Sequence, residues 1–228
     1  MNPPDRRIYA VLALCLLLML GASYVAWRQL PADARIPTHW GVNGLPDQYS
    51  SKAFGLLLMP VIAAVLVPAL LFVLRFDPRK THVAQSRQPI ALIVVAVLVF
   101  LTGIHLAMVA ISLGKGISMN AVVFNGVGGL FMVLGYAMRA LHSNFLVGIR
   151  TPWTLSSERS WHKTHQLGSV LFIASGALTI VLGWTAPVGA AVLGLLVSTV
   201  GSVAVLFAYS YLVWRDDPDR SSAPQKVA

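Results

Sequence analysis

Six long apolar segments, none of which contains Asp, Glu, Lys or Arg, constrain this chain more than any other sequence feature. Each is close to the roughly 20 residues with which a helix crosses the hydrocarbon core of a bilayer. Because the bilayer offers backbone polar groups no other partner, helices are expected. The predicted fold class is all-α, a polytopic integral membrane protein with six transmembrane helices. The predicted spans are 8–27, 54–74, 90–113, 121–138, 167–184 and 188–214.

The composition argues against a soluble protein. Of the 228 residues, 57% are hydrophobic and 11% are charged, whereas soluble domains carry about 25% charged residues. A net charge of +9 would suggest nucleic-acid binding in a soluble protein. Here the basic residues lie between apolar segments, where they meet anionic lipid headgroups and set orientation. The lipid bilayer is therefore a predicted partner, and no direct nucleic-acid contact is expected.

The distribution of Lys and Arg predicts the orientation. With both termini cytoplasmic, 13 of the 17 basic residues lie inside and four outside, as the positive-inside rule requires. The loop 28–53 is then external and the loop 139–166 is cytoplasmic. The first segment resembles a signal peptide, but its apolar run is too long and Arg28 follows it directly. An uncleaved first span is predicted.

The richest polar stretch is "NFLVGIRTPWTLSSERSWHKTHQLG", residues 144–168. Its Thr151-Pro152 dipeptide predicts an extended or turned backbone, because a residue before proline avoids the helical region. Ser156 or Ser157 is expected to cap a new helix, with Glu158 favourable in its first turn. That helix should continue into the fifth span. The tryptophans of the stretch fit an aromatic belt at the bilayer interface.

Two histidines of this stretch have the spacing of a chelating pair. His162 and His165 are three residues apart, so a helix places them on one face. Glu158 is the carboxylate that accompanies them. Hydrogen-bonded interfacial histidines are the favoured interpretation, and the sequence predicts no metal ion and no cofactor.

The external side offers a second polar group. One hypothesis is an outward-facing ligand pocket; the favoured alternative is the capping of a short ordered loop. His105 supports the pocket because polar side chains within a span usually face the bundle interior. The residues of this pocket would be His39, Asn43, Asp47, His105 and Asn125.

Both polar stretches resemble known motifs. Residues 144–168 are similar to the signature of the SdpI/YfhL family of bacterial membrane proteins, and "IPTHWGVNGLPDQYSSKAFG", residues 36–55, resembles the loop of the domain of unknown function that often precedes it. Family matches in the first stretch are Asn144, Gly148, Arg150, Thr151, Pro152, Trp153, Thr154, Trp161, His165 and Gly168. Matches in the second are Pro37, His39, Trp40, Gly44, Pro46, Asp47 and Lys52.

The expected organisation follows the two motifs. Residues 1–80 form an N-terminal two-span region with the external loop 28–53. Residues 81–214 form an SdpI-like four-span region with the cytoplasmic loop 139–166. Residues 215–228 form a polar, disordered cytoplasmic tail. The expected location is the bacterial cytoplasmic (inner) membrane.

The resemblance implies a function. The namesake of the family protects a bacterium from its own secreted, membrane-active peptide and holds a transcriptional repressor at the membrane. A toxin peptide outside and a repressor inside are therefore the expected partners, and no enzymatic activity is expected. Expected cytoplasmic binding residues are Asn144, Arg150, Thr151, Trp153, Thr154, Trp161 and His165; external ones are His39, Asn43, Asp47 and His105.

Two other functions stay open from the sequence. One is a small-molecule or lipid transporter or channel, although the absence of charged residues within the spans weighs against ion coupling. The other is a metal-assisted membrane enzyme. The oligomeric state does not follow from the sequence.

Overall fold

A computed structural model of the chain describes residues 3–41 and 43–220. Six of its helices are long and apolar enough to cross a membrane, namely α1, α2, α4, α5, α7 and α8 as defined next. The predicted six-span fold is confirmed. The helices are α1 Pro3–Gln29, α2 Lys52–Val73, α3 Lys80–Gln85, α4 Arg87–Ser112, α5 Met119–Met138, α6 Pro152–Leu155, α7 Glu158–Thr185 and α8 Val188–Arg215. The strands are β1 Arg35–Trp40 and β2 Pro46–Ser51, and a 3₁₀ turn, Leu74–Phe76, extends α2.

Serine caps mark where three of the spans begin. Ser51 accepts a hydrogen bond from the backbone N–H of Phe54 at the start of α2, and Ser118 caps α5 in the same way. Ser157 caps α7 and accepts from the Ser160 N–H at 2.8 Å. Such caps satisfy N–H groups that have no partner within the helix. The prediction of a capped helix that runs unbroken into the fifth span is confirmed by α7.

Small residues let α5 and α7 approach closely. A Cβ atom on Gly128 of α5 would lie 2.6 Å from the carbonyl oxygen of Gly176 of α7. A Cβ on Gly135 would lie 2.7 Å from the Ser169 carbonyl oxygen. Membrane helices associate through such small-residue contacts because lipid supplies no hydrophobic drive between helices. The α5–α7 pair is the most extensive helix contact, and α7 also packs on α8.

The outward faces of the spans carry large apolar side chains. Leu17 is 70% exposed and Val200 is 66% exposed within the protein itself. Soluble monomers rarely expose apolar patches on this scale. These faces therefore contact lipid.

The all-α prediction misses a small antiparallel β-hairpin in the loop 28–53. Strands β1 and β2 pair with Ile36 opposite Ser50. Ile36 is fully buried, and a Cβ on Gly55 of α2 would lie 2.5 Å from its side chain. Lys52 Nζ donates to the Leu30 carbonyl at 2.7 Å. The hairpin is thus fixed to the ends of α1 and α2.

The predicted division of the chain near residue 80 stays a prediction. Helix α1 packs mainly on α4, and therefore across the predicted boundary. Of the predicted disordered tail, residues 221–228 lie outside the described residues. Within the described part, α8 ends at Arg215 and Asp217 is buried.

Candidate functional site

Asn144 organises the loop between α5 and α7. Its side chain is fully buried, and Nδ2 donates to the carbonyls of His142, at 2.9 Å, and Val147, at 3.0 Å. Oδ1 accepts from the N–H groups of Leu146, at 3.0 Å, and Val147, at 2.6 Å. These four bonds use the donors and acceptors of one amide fully. The loop therefore folds around Asn144.

Gly148 brings the same loop against α7. Its φ of 122° lies in the region that glycine favours, and a Cβ there would lie 2.5 Å from His165 Nε2. The Ile149 N–H donates to His165 Nε2 at 3.0 Å, and His165 Nδ1 lies 2.8 Å from the Trp161 carbonyl. Because a backbone N–H only donates, Nε2 accepts and Nδ1 carries the proton. Both ring nitrogens of His165 are engaged.

Trp161 fills the space beneath the loop. It is 1% exposed, and Nε1 donates to the Leu141 carbonyl at 2.8 Å. Its ring stacks on His165 with centroids 4.1 Å apart. The aromatic-belt interpretation therefore does not describe Trp161, which contacts protein because the loop folds over it.

Thr151 and Thr154 form a reciprocal capping box at the start of α6. Each hydroxyl accepts from the backbone N–H of the other residue, at 2.9 and 3.1 Å. Thr154 Oγ1 also donates to the Ile149 carbonyl at 2.8 Å, and Thr151 Oγ1 donates to Ser210 Oγ of α8 at 3.1 Å. Thr151 is extended, with φ −99° and ψ 162°, as predicted from the proline that follows.

Trp153 holds α6 on α8. The side chain is half-buried and meets Phe207 and Tyr211 edge-on, with ring centroids 4.7 and 5.2 Å away. Ser157 Oγ donates to Asp217 beyond the end of α8. The C-terminal part of the loop is thus anchored to α8 and to the residues that follow it.

Asp77 and Arg79 support this site from the loop between α2 and α3, and sequence reasoning did not select either residue. Asp77 Oδ2 accepts from the Phe145 N–H at 2.8 Å. Arg79, which is 2% exposed, donates to the Leu155 carbonyl at 2.6 Å. No local spacing connects positions about 70 residues apart. The sequence did indicate that their loop lies on the same side of the membrane as the loop 139–166, because the predicted topology makes both loops cytoplasmic.

The solvent-facing side of the site is basic. Arg150 is exposed, and its guanidinium donates to the Phe145 carbonyl at 2.6 Å. Next to Trp161 lies a cavity of about 450 Å³ whose lining carries the basic Arg139 and Arg159 as well as the acidic Glu158. Its lining residues are Arg139, Ala140, Leu141, His142, Glu158, Arg159, Trp161 and His162. Within the described residues, no group of three His, Cys, Asp or Glu is placed to hold a metal ion.

In the loop predicted to be external, the structure brings His39 and Asp47 together. His39 Nδ1 lies 2.5 Å from Asp47 Oδ1, with the side chains 59% and 49% exposed. Asn43 Oδ1 accepts from the Leu45 N–H in the hairpin turn, as loop capping would require.

The other two residues of the hypothetical outer pocket lie elsewhere. His105 is fully buried within the helices, with Nε2 2.9 Å from Ser23 Oγ and 3.1 Å from the Met19 carbonyl of α1. Asn125 accepts from Trp184 Nε1 at 3.1 Å. His105 is thus a contact between α1 and α4.

Comparisons with known proteins agree with both motifs. Residues 140–210 match the model of the SdpI/YfhL protein family, and residues 14–64 match that of a domain of unknown function, DUF1648. The chain is 27% identical over 182 residues to the Immunity protein SdpI of Bacillus subtilis (strain 168). The aligned region covers 78% of this chain and 82% of that protein. No solved structure matches. The resemblance drawn from the two stretches is confirmed.

Proposed function

We propose that this chain protects its bacterium from a secreted membrane-active peptide. The premise is that its SdpI/YfhL match follows a DUF1648 match along the chain. We further propose that the chain lies in the cytoplasmic membrane and signals by binding a transcriptional repressor on the cytoplasmic side. The observation that carries the proposal is the similarity to an immunity protein over 78% of the chain.

The hairpin is the proposed peptide-facing element. It presents the exposed His39–Asp47 pair on a base fixed by the buried Ile36. A fixed base reduces the ordering cost of binding. The pair offers both charge and hydrogen bonding to a peptide that approaches from outside.

The loop between α5 and α7, residues 139–157, is the proposed partner-facing element. Because Asn144, Thr154 and His165 are buried and fully engaged, they hold its shape. The groups left to meet a soluble partner are exposed and mostly basic, with Arg150 and Arg159 foremost. The binding role predicted for the buried residues is thus proposed to be indirect.

A buried contact joins the helices between these two elements. Ser23 of α1 donates to the Leu56 carbonyl of α2 at 2.7 Å and lies 2.9 Å from His105 of α4. These helices run from the hairpin to the opposite membrane face. A change in the hairpin therefore has a path of packed side chains toward the membrane face that carries the loop 139–157.

The metal-assisted enzyme hypothesis gains no support from its histidine pair. His165 uses Nε2 to accept from Ile149 and Nδ1 to contact Trp161, so ligating a metal would break one of these bonds. The transporter or channel alternative stays a prediction.

The test is survival of a sensitive bacterium that expresses the chain. Cells are challenged with concentrated low-molecular-weight culture supernatant from the bacterium that encodes it, and membrane potential is followed with a dye. Wild type should preserve the potential and Arg150→Ala should protect less. Lys163→Ala is the matched control, since it also removes one exposed positive charge. Equal survival of wild type and empty vector would refute the proposed function.

A further inference from the structure

We propose that a cavity between α1, α2, α3 and α4 binds one anionic diacyl phospholipid. The cavity has a volume of about 300 Å³, and no residue of the loop 139–157 is among its described lining residues. It combines an apolar wall, which includes Ile8, Leu71 and Leu74, with a basic rim of Arg75, Lys80 and Arg87. This inference does not depend on the proposed immunity function.

The position of the cavity matches a membrane–water boundary. It is bounded by the start of α1, the end of α2 and the start of α4. Because consecutive spans alternate in direction, these three ends share one membrane face, the predicted cytoplasmic one. Beside it, Phe72 and Phe76 of α2 and its 3₁₀ turn are 56% and 68% exposed, and their rings meet edge-to-face. Exposed aromatic rings at this depth face lipid.

The basic residues of the rim favour binding of an anionic headgroup. Arg75 and Lys80 are exposed, and no acidic residue is among the described residues that line the cavity. Asp77, the nearest carboxylate along the chain, accepts from the Arg79 and Phe145 N–H groups instead. Within the described residues, no carboxylate forms an ion pair with Arg75 or Lys80. Arg and Lys form charge-assisted hydrogen bonds with phosphate oxygens, and basic pockets between spans on the cytoplasmic side bind anionic headgroups.

The apolar wall selects a lipid rather than a soluble phosphate. A free phosphate would contact the rim and leave the surface of Ile8, Leu71 and Leu74 without a ligand. A diacyl phospholipid places its phosphate at the rim and the upper part of its acyl chains on this wall. Tyr9 also lines the cavity and adds a hydroxyl that hydrogen-bonds to phosphate or ester oxygens.

The experiment measures lipid retention by the purified full chain in detergent. Native mass spectrometry compares phosphatidylglycerol with phosphatidylcholine of identical acyl chains, for wild type and for Arg75→Gln/Lys80→Gln. We expect the double variant to bind phosphatidylglycerol about 25-fold more weakly, which is about fivefold for each basic residue. Binding of phosphatidylcholine should be weak in both proteins.

Two further variants separate the site from general charge and from misfolding. Lys163→Gln/Arg220→Gln removes two exposed charges from the same predicted face outside this cavity and should bind like wild type. Ala84→Trp fills the cavity with the rim charges kept and should also weaken binding. Thermal unfolding of each variant reports folding, and soluble glycerol phosphate should not compete. Equal loss in both double variants, wild-type binding by Ala84→Trp, or competition by glycerol phosphate would overturn the proposal.

Discussion

The hairpin between α1 and α2, and the loop between α5 and α7 with the start of α7, both contain asparagine and histidine, but Asn144 and His165 lie in different surroundings from the His39–Asp47 pair. In the hairpin, His39 and Asp47 are 59% and 49% exposed. Asn144 of the loop is 0% exposed, and His165 of α7, which contacts the loop, is 1% exposed. The same residue types thus meet solvent in one region and hold backbone in the other.

This difference separates two roles that a sequence motif does not distinguish. A buried polar side chain with full hydrogen bonding contributes shape and stability, since its loss leaves backbone groups unpaired. An exposed pair contributes little stability and is available to a ligand. Substitutions of the buried residues that hold the loop should therefore destabilise the protein, whereas substitutions of the exposed hairpin pair should change function alone.

The largest contrast is expected between two asparagines. Asn144→Ala removes four buried hydrogen bonds. It should lower the free energy of unfolding by about 4 kcal/mol, at about 1 kcal/mol for each bond. Asn43→Ala removes one exposed bond and should cost less than about 1 kcal/mol. Denaturant titration in mixed micelles, followed by tryptophan fluorescence, measures both. Similar costs would remove the distinction between the regions.

A smaller loss of stability than for Asn144→Ala is expected for Gly148→Ala. The added Cβ would meet His165 Nε2 at 2.5 Å at a φ of 122°, which should cost about 2–3 kcal/mol in strain and overpacking. Gly129→Ala is the control because its Cβ would meet nothing within 4 Å. The same titration should show Gly129→Ala unchanged or more stable. An unchanged Gly148→Ala would show that the loop can move away from α7.

The smallest effect on stability is expected for Asp47→Asn. This change removes the charge from an exposed pair and should alter the free energy of unfolding by less than about 1 kcal/mol. If the hairpin faces the peptide, survival in the supernatant challenge should nevertheless fall. Asp33→Asn, another exposed acid of the loop 28–53, serves as the matched control. Full protection by Asp47→Asn would argue against recognition by this pair.

Local signals in the sequence were sufficient for the helices. The six spans follow from apolar length, and the start of α7 follows from the cap at Ser157. The extended Thr151 follows from the proline after it. Each of these features depends on residues close together in the chain, so spacing and propensity predict it.

The hairpin and the support of the loop were not predicted. β1 and β2 lack the strict alternation of a half-buried strand, and they form where Ile36 packs against Gly55. The contacts of Asp77 with Phe145 and of Arg79 with Leu155 join distant parts of the chain. No alternation or spacing reveals partners so far apart.

The sequence by itself determined that the chain is a six-span membrane protein, because the free energy of placing apolar segments in lipid depends on composition and length alone. It also contained the two family motifs in their order. The tertiary structure decided which motif residues are buried supports and which are exposed contacts. Burial depends on what the rest of the chain places over a side chain, as α7 and the loop 139–157 do for His165.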